Sequence, residues 1–178
     1  MAIAVNFIAF QIGWFACVLG AAYHMPLMGT GIALTIIVLH LASTIDPIAE
    51  LKLVLAAAGI GFVFDPLLAL AGLIAFTSGT VFDGILAHWM VALWMLFAIT
   101  LNVSLRWLKE RPLLAIAFGG IGGPLAYVAG EKLGALRIDS NLGIVAIGVG
   151  WAVAMWLLVI LARRFNGIAT PLAIAHET

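Results

Sequence analysis

The stretch Gly59-Ile-Gly-Phe-Val-Phe-Asp65-Pro66-Leu-Leu sets one carboxylate and one helix-breaking proline in the middle of a long apolar run. No other acid in the chain lies so deep in hydrophobic sequence. A charged side chain in apolar surroundings is costly, so it normally faces the protein interior and marks a functional site. Such a carboxylate can carry a proton, bind an ion or anchor a ligand. It can equally cap a helix break at Pro66 and bond a neighbour. Positions four and seven away share its helical face; they are Ala58, Gly61, Ala69 and Gly72. Small residues in such a row let a second helix approach closely, so Asp65 is expected to point into a bundle.

Depth selects its partners. A third helix read as Leu51 to Phe76 places Asp65 about fourteen residues, roughly 21 Å, from the inner end. His40 and His88 then fall at the wrong levels. Trp14, Thr35, Trp94, Gly122-Gly123-Pro124 and Trp151 fall near the middle of their spans. Tryptophan gathers at membrane interfaces, which suits Trp89 and Trp107 but not three indoles at mid-depth. A buried indole N–H needs an acceptor. The candidate ligand-binding group is therefore Asp65, Trp14, Trp94, Trp151 and Thr35, an aromatic-walled pocket for an apolar or amphipathic molecule. The alternative is that these tryptophans are core or lipid-facing fillers.

Four further residues are secondary candidates. Glu131 and Tyr127 lie on the fifth helix, on one face with Gly120 and Pro124. Asn102 and Arg106 are four apart on the fourth; Asn102 is expected to bond another helix, and Arg106 to reach a lipid phosphate or Glu110. Gly122, Ala126, Gly130 and Gly134, with Gly119 and Gly123 beside them, read as a close-packing stripe. His24, His40 and His88 lack close helical metal spacing, so no metal site is expected. No cofactor motif and no Gly-x-Ser-x-Gly, His-Glu-x-x-His or paired catalytic Asp is present, which points away from an enzyme acting alone.

These residues need helices to hold them. The chain has 178 residues, 65% hydrophobic and 9% charged, against roughly 25% charged in soluble domains. Apolar runs predict an all-α polytopic transmembrane bundle of six helices with short loops: Val5 to Tyr23, Leu27 to Ser43, Leu51 to Phe76, Ile85 to Trp107, Leu113 to Ala135 and Leu142 to Ala162. The third is roughly 39 Å long against a core of about 30 Å, so it tilts or breaks at Pro66. Residues 1–164 read as one domain and 165–178 as a short surface tail. No Lys or Arg precedes the first run, so it reads as a retained helix rather than a signal peptide. Cys17 is the only cysteine, and the zero net charge gives no basic patch for nucleic acid. Lys52, Arg106, Lys109, Arg111, Arg163 and Arg164 fall on one side, against Lys132 and Arg137 on the other, which places both termini in the cytoplasm. The expected partners are the lipid bilayer and, through the glycine-rich helices 3 and 5, a second copy or another membrane protein.

The segments Phe10-Gln-Ile-Gly-Trp-Phe-Ala-Cys-Val-Leu-Gly-Ala-Ala22, Leu93-Trp-Met-Leu-Phe-Ala-Ile-Thr-Leu-Asn-Val-Ser-Leu-Arg-Trp107 and Gly122-Gly-Pro-Leu-Ala-Tyr-Val-Ala-Gly-Glu-Lys-Leu-Gly134, with Asp65 between them, resemble the bacterial domain-of-unknown-function family numbered 2878. The resemblance covers nearly the whole chain. It implies a small multi-span protein of the bacterial inner membrane and no assigned activity. Members encoded near lipid-modifying enzymes imply lipid-related work. Three readings stay open: binding or moving a lipid-like molecule around Asp65; an enzyme or accessory subunit of lipid modification, with Asp65 or Glu131 as acid/base and Arg106 as head-group clamp; and an assembly partner for another membrane protein.

Overall fold

A computed structural model describes residues 3–168. They form six helices: α1 (Ile3–Ala22), α2 (Pro26–Ala42), α3 (Pro47–Leu70), α4 (His88–Leu101), α5 (Pro112–Lys132) and α6 (Asn141–Arg164). Prolines begin α2, α3 and α5, where the missing N–H costs nothing and the fixed φ suits the first turn. Asp46 caps α3 by accepting from the backbone N–H groups of Ile48 and Ala49, both at 3.1 Å. Ser140 caps α6 through Gly143 N–H.

The fold is the expected all-α bundle, with corrections to its spans. Four helices, α1, α3, α5 and α6, are long and apolar enough to cross a membrane; α2 and α4 are shorter. The fourth helix, expected over Ile85 to Trp107, is only 14 residues, about 21 Å. Nine of those residues are buried, so α4 is the central helix, apolar on every side because protein surrounds it. After Leu101 the chain turns, with a single 3₁₀ turn at Arg106–Leu108. Asn6 on α1 holds this break: its amide donates to Ile99 C=O at 3.0 Å and its carbonyl accepts from the Ser104 hydroxyl at 2.7 Å.

The third helix neither breaks at Pro66 nor reaches Phe76. It runs without interruption through Pro66 and stops at Leu70, where Gly72 takes φ +68°. The stretch from Ile74 to Ala87, expected as the end of one helix, a loop and the start of the next, carries three short strands instead. Ile74–Phe76 pairs antiparallel with Leu136–Ile138, and Thr80–Val81 with Leu86–Ala87. The first pair ties the α3 end to the α5–α6 connection. Trp89 is 1% exposed and donates to Ser78 C=O at 2.9 Å, so it pins this connection rather than facing headgroups.

Packing divides the bundle. α1 packs on α2 and α4, α4 also on α2 and α3, and α5 mainly on α6, while α1 and α5 hardly touch. The outward faces carry Phe7, Ile12, Leu55, Phe62, Val63, Ile121, Leu125, Val145 and Val149 exposed, the side-chain set a lipid solvent requires. Glycine is used where two helices must meet. A Cβ at Gly61 would overlap the Trp94 indole, one at Gly123 the Trp151 ring, and one at Gly119 Met155 and the Trp151 carbonyl. Gly61 of the stripe on helix 3, and Gly119 and Gly123 of that on helix 5, are thus taken up inside the chain. Gly122, expected in the α5 packing stripe, instead faces open space, with only Phe118 at 4.0 Å.

The tail expected at the surface from Phe165 onward folds back in its first part, where Gly167 is buried. Residues 169–178 lie outside the described residues.

Candidate functional site

Asp65 is 0% exposed and lies five residues from the end of α3, about 7.5 Å at 1.5 Å per residue. It therefore sits in the outer part of the helix, not at mid-span; the shift follows from a helix that starts earlier and ends earlier than hydropathy suggests. Tyr127 lies five residues before the end of α5 and Trp94 six residues after the start of α4, so three helices bring them to one level. Trp94 Nε1 donates to Asp65 Oδ2 at 2.7 Å. The Tyr127 hydroxyl donates to Asp65 Oδ1. Both carboxylate oxygens are thereby occupied.

Trp94 and Trp151 stack with centroids 4.4 Å apart and planes 14° from parallel. Phe64 meets Trp94 edge-on at 5.9 Å and Phe97 meets Trp151 at 5.4 Å, both within the range of favourable aromatic pairs. Gly61 and Gly123 make room for the two indoles from either side. Trp151 Nε1 is buried and has no hydrogen-bond partner among the described residues.

This aromatic column forms one wall of a cleft of about 270 Å³ between α1 and α5, floored by α4 and α6. Trp14, Trp94, Trp151 and Tyr127 line it with Gly119, Gly122, Gly123 and Gly130 of α5; Gly119 and Gly123 pack directly against Trp151. Asp65 is not among the lining residues. It stands behind Tyr127 and Trp94 and fixes their orientation, so the expectation that it anchors a ligand directly gives way to a positioning role. Thr35 does not join the group. It is exposed on α2, its hydroxyl donates to Gly31 C=O at 2.8 Å, and it borders a separate shallow groove with Ala9 and Ile12. Gln11, which the sequence places on another face of α1 from Asn6, Gly13 and Gly20, does line the cleft.

The secondary candidates separate as well. Tyr127 is at the heart of the site. Glu131 accepts from Ile138 N–H at 2.7 Å and anchors the Leu136–Ile138 strand. Arg106 is exposed and forms no ion pair with Glu110. Asn102 belongs to a second buried group at the basic end of the bundle. Its amide donates to Glu50 Oε1 at 2.6 Å and to Phe165 C=O at 2.9 Å, and its carbonyl accepts from Lys109 Nζ at 2.8 Å. Glu50, in the first turn of α3, is 0% exposed. It also accepts from His40 Nε2 at 3.2 Å and Gly167 N–H at 2.8 Å. The Gly167 carbonyl accepts in turn from Ile45 and Asp46 N–H. Burial pushes the Lys109 ammonium below its usual value, and the Glu50 carboxylate acts against that shift. Sequence reading misses this cluster because His40, Glu50 and Asn102 each lie next to polar turns. The signal available was the Asp46-Pro47 cap, which folds α2 back on α3 and faces His40 towards Glu50. No group of three or more metal-ligating side chains occurs among the described residues.

The profile of a family described as "Protein of unknown function (DUF2878)" matches residues 3–157. The chain belongs to this family. The DUF2878 match takes in Asp65, Tyr127, the stacked tryptophans and the α1 wall of the cleft, and it ends in α6 before Phe165 and Gly167. No curated protein and no solved structure matches the chain.

Proposed function

We propose that this DUF2878 protein binds a lipid-like or small amphipathic molecule in the cleft between α1 and α5, as a bacterial inner-membrane protein with both termini on the cytoplasmic side. The observation that carries the reading is the cleft itself. It is apolar, about 270 Å³ in volume, and lies between two helices whose neighbouring faces are lipid-facing in character. Its occupant would enter sideways from the bilayer, with no passage through water. The Asp65–Tyr127–Trp94 hydrogen bonds supply part of what a binding wall needs: rigid aromatic surfaces, with the Tyr127 hydroxyl and the Trp94 N–H already satisfied. The same arrangement favours binding over acid–base catalysis, since both Asp65 oxygens are engaged behind the wall. The orientation rests on the basic end, where Lys52, Arg106, Lys109, Arg111, Arg163 and Arg164 gather.

The test uses Gly122→Leu. A Cβ at Gly122 meets only the Phe118 ring at 4.0 Å and Gly122 lines the cleft, so a leucine there is expected to grow into the cleft. Mass spectrometry of gently purified wild type is expected to find a bound molecule that is lost from Gly122→Leu at equal helicity. An identical lipid complement in both proteins would remove the binding reading.

A further inference from the structure

The residues lining the cleft narrow its ligand further, on the strength of the binding reading above. No Asp, Glu, Lys, Arg or His lines it. An ionic headgroup placed there would lose its hydration with no opposite charge to compensate. The chain's basic residues gather at the loop ends, away from this surface. The volume lies just under the range typical of small-molecule pockets, room for part of one chain or a small ring system, with the rest of the body lying in the bilayer. Along α5 the lining runs from Phe118 to Gly130, about 18 Å at 1.5 Å per residue. That is a little over half of a hydrocarbon core about 30 Å thick, the reach of one chain in one leaflet.

The polar atoms of the lining are nearly all spoken for. The Tyr127 hydroxyl and the Trp94 N–H serve Asp65, and the Trp89 N–H serves Ser78. Trp151 Nε1 is buried beside the Tyr127 hydroxyl. What remains is Gln11 and Trp14, both half-buried residues that line the cleft, and neither side chain has a hydrogen-bond partner among the described residues. They are three apart on α1 and so share a face. Gln11 is eight residues from the start of α1 and eleven from its end, near the middle of the helix and far from headgroup level.

We infer that the cleft takes an uncharged lipid with a single chain or ring system, bearing one hydrogen-bonding oxygen (hydroxyl, ketone or ester) that is received by Gln11 and Trp14. Gln11 supplies both a donor and an acceptor, and Trp14 a second donor. An apolar body lies along the α5 glycines and the indoles beside them.

The experiment reads tryptophan quenching of the full-length protein in detergent micelles by two brominated lipids. One is a dibromostearoyl monoacylglycerol and the other a phosphatidylglycerol carrying the same chain. The saturable part, competed away by unbrominated monoacylglycerol, reports the cleft; Trp107 and Trp156 at the surface contribute only a linear background. Wild type is expected to show saturable quenching by the neutral lipid alone. Gln11→Leu, which keeps the volume, should weaken it about 3- to 10-fold, the worth of one hydrogen bond in a membrane interior. Gly122→Leu should abolish it. Equal saturable quenching by the anionic lipid, or an unchanged Gln11→Leu, overturns the neutral-ligand inference while leaving the cleft as a binding site, provided Gly122→Leu still abolishes binding. Saturable quenching that survives Gly122→Leu, or none in wild type, overturns both.

Discussion

The bond between Tyr127 and Asp65 can be weighed by removing each partner and then both. Asp65 is fully buried and accepts from two donors on two other helices. Tyr127→Phe strips one of them and leaves a buried carboxyl oxygen unmatched, a cost of about 1–3 kcal/mol. Asp65→Leu keeps the site filled but orphans two donors, the Tyr127 hydroxyl and the Trp94 N–H. At the same penalty per group the loss is about 2–6 kcal/mol. In the Asp65→Leu background the second change, Tyr127→Phe, takes away an orphaned hydroxyl. It should then return about 1–3 kcal/mol, which gives a coupling energy of about 2–6 kcal/mol. The assay is unfolding in mixed detergent micelles with SDS, followed by far-UV circular dichroism, because Trp94 fluorescence itself would change with the mutations. If Tyr127→Phe costs the same in both backgrounds, the two side chains do not act as a unit, and the positioning role given to Asp65 is wrong.

Two other predictions test the architecture around the site. Gly123→Ala should destabilise the protein by about 1–3 kcal/mol, since its methyl meets the Trp151 ring, a case of overpacking. The adjacent Gly122→Ala faces open space and should be neutral or stabilising by up to about 1 kcal/mol; thermal unfolding of the pair checks both. Glu50→Leu should release the segment after α6, because it leaves the Gly167 N–H, the Asn102 amide and His40 without their shared acceptor. The expected loss is about 3–5 kcal/mol, the cost of breaking a buried polar pair, and hydrogen exchange should rise first at Phe165–Ile168.

Much of the fold is written in the hydropathy of the chain. Long apolar runs, prolines at helix starts and basic residues near the ends place α1, α2, α5 and α6 to within three residues, because a helix in lipid must satisfy its own backbone and be apolar wherever it is exposed. The same reasoning marks Asp65, since an acid in such a run has few tolerable places to go. Sequence alone could not say which side chains meet it. Hydropathy fixes length but not rotation about the helix axis, and depth estimates move when an end does. The α3 end at Leu70 moved Asp65 towards Tyr127 and away from the midplane. The short α4, apolar on all sides, gave no sign of being central; its burial follows from the helices around it. Thr35 and Trp14 looked equivalent by depth, yet α2 turns Thr35 outward while α1 turns Trp14 into the cleft. Gln11, Glu50 and His40 look like ordinary polar punctuation along the chain. Packing decides that one lines a cleft while the other two share a buried hydrogen bond. The chain's composition thus determined that it folds as a helical bundle suited to lipid. Only the tertiary structure determined where that bundle leaves a gap, because a gap depends on helices that fail to touch, and no single helix records that in its own sequence.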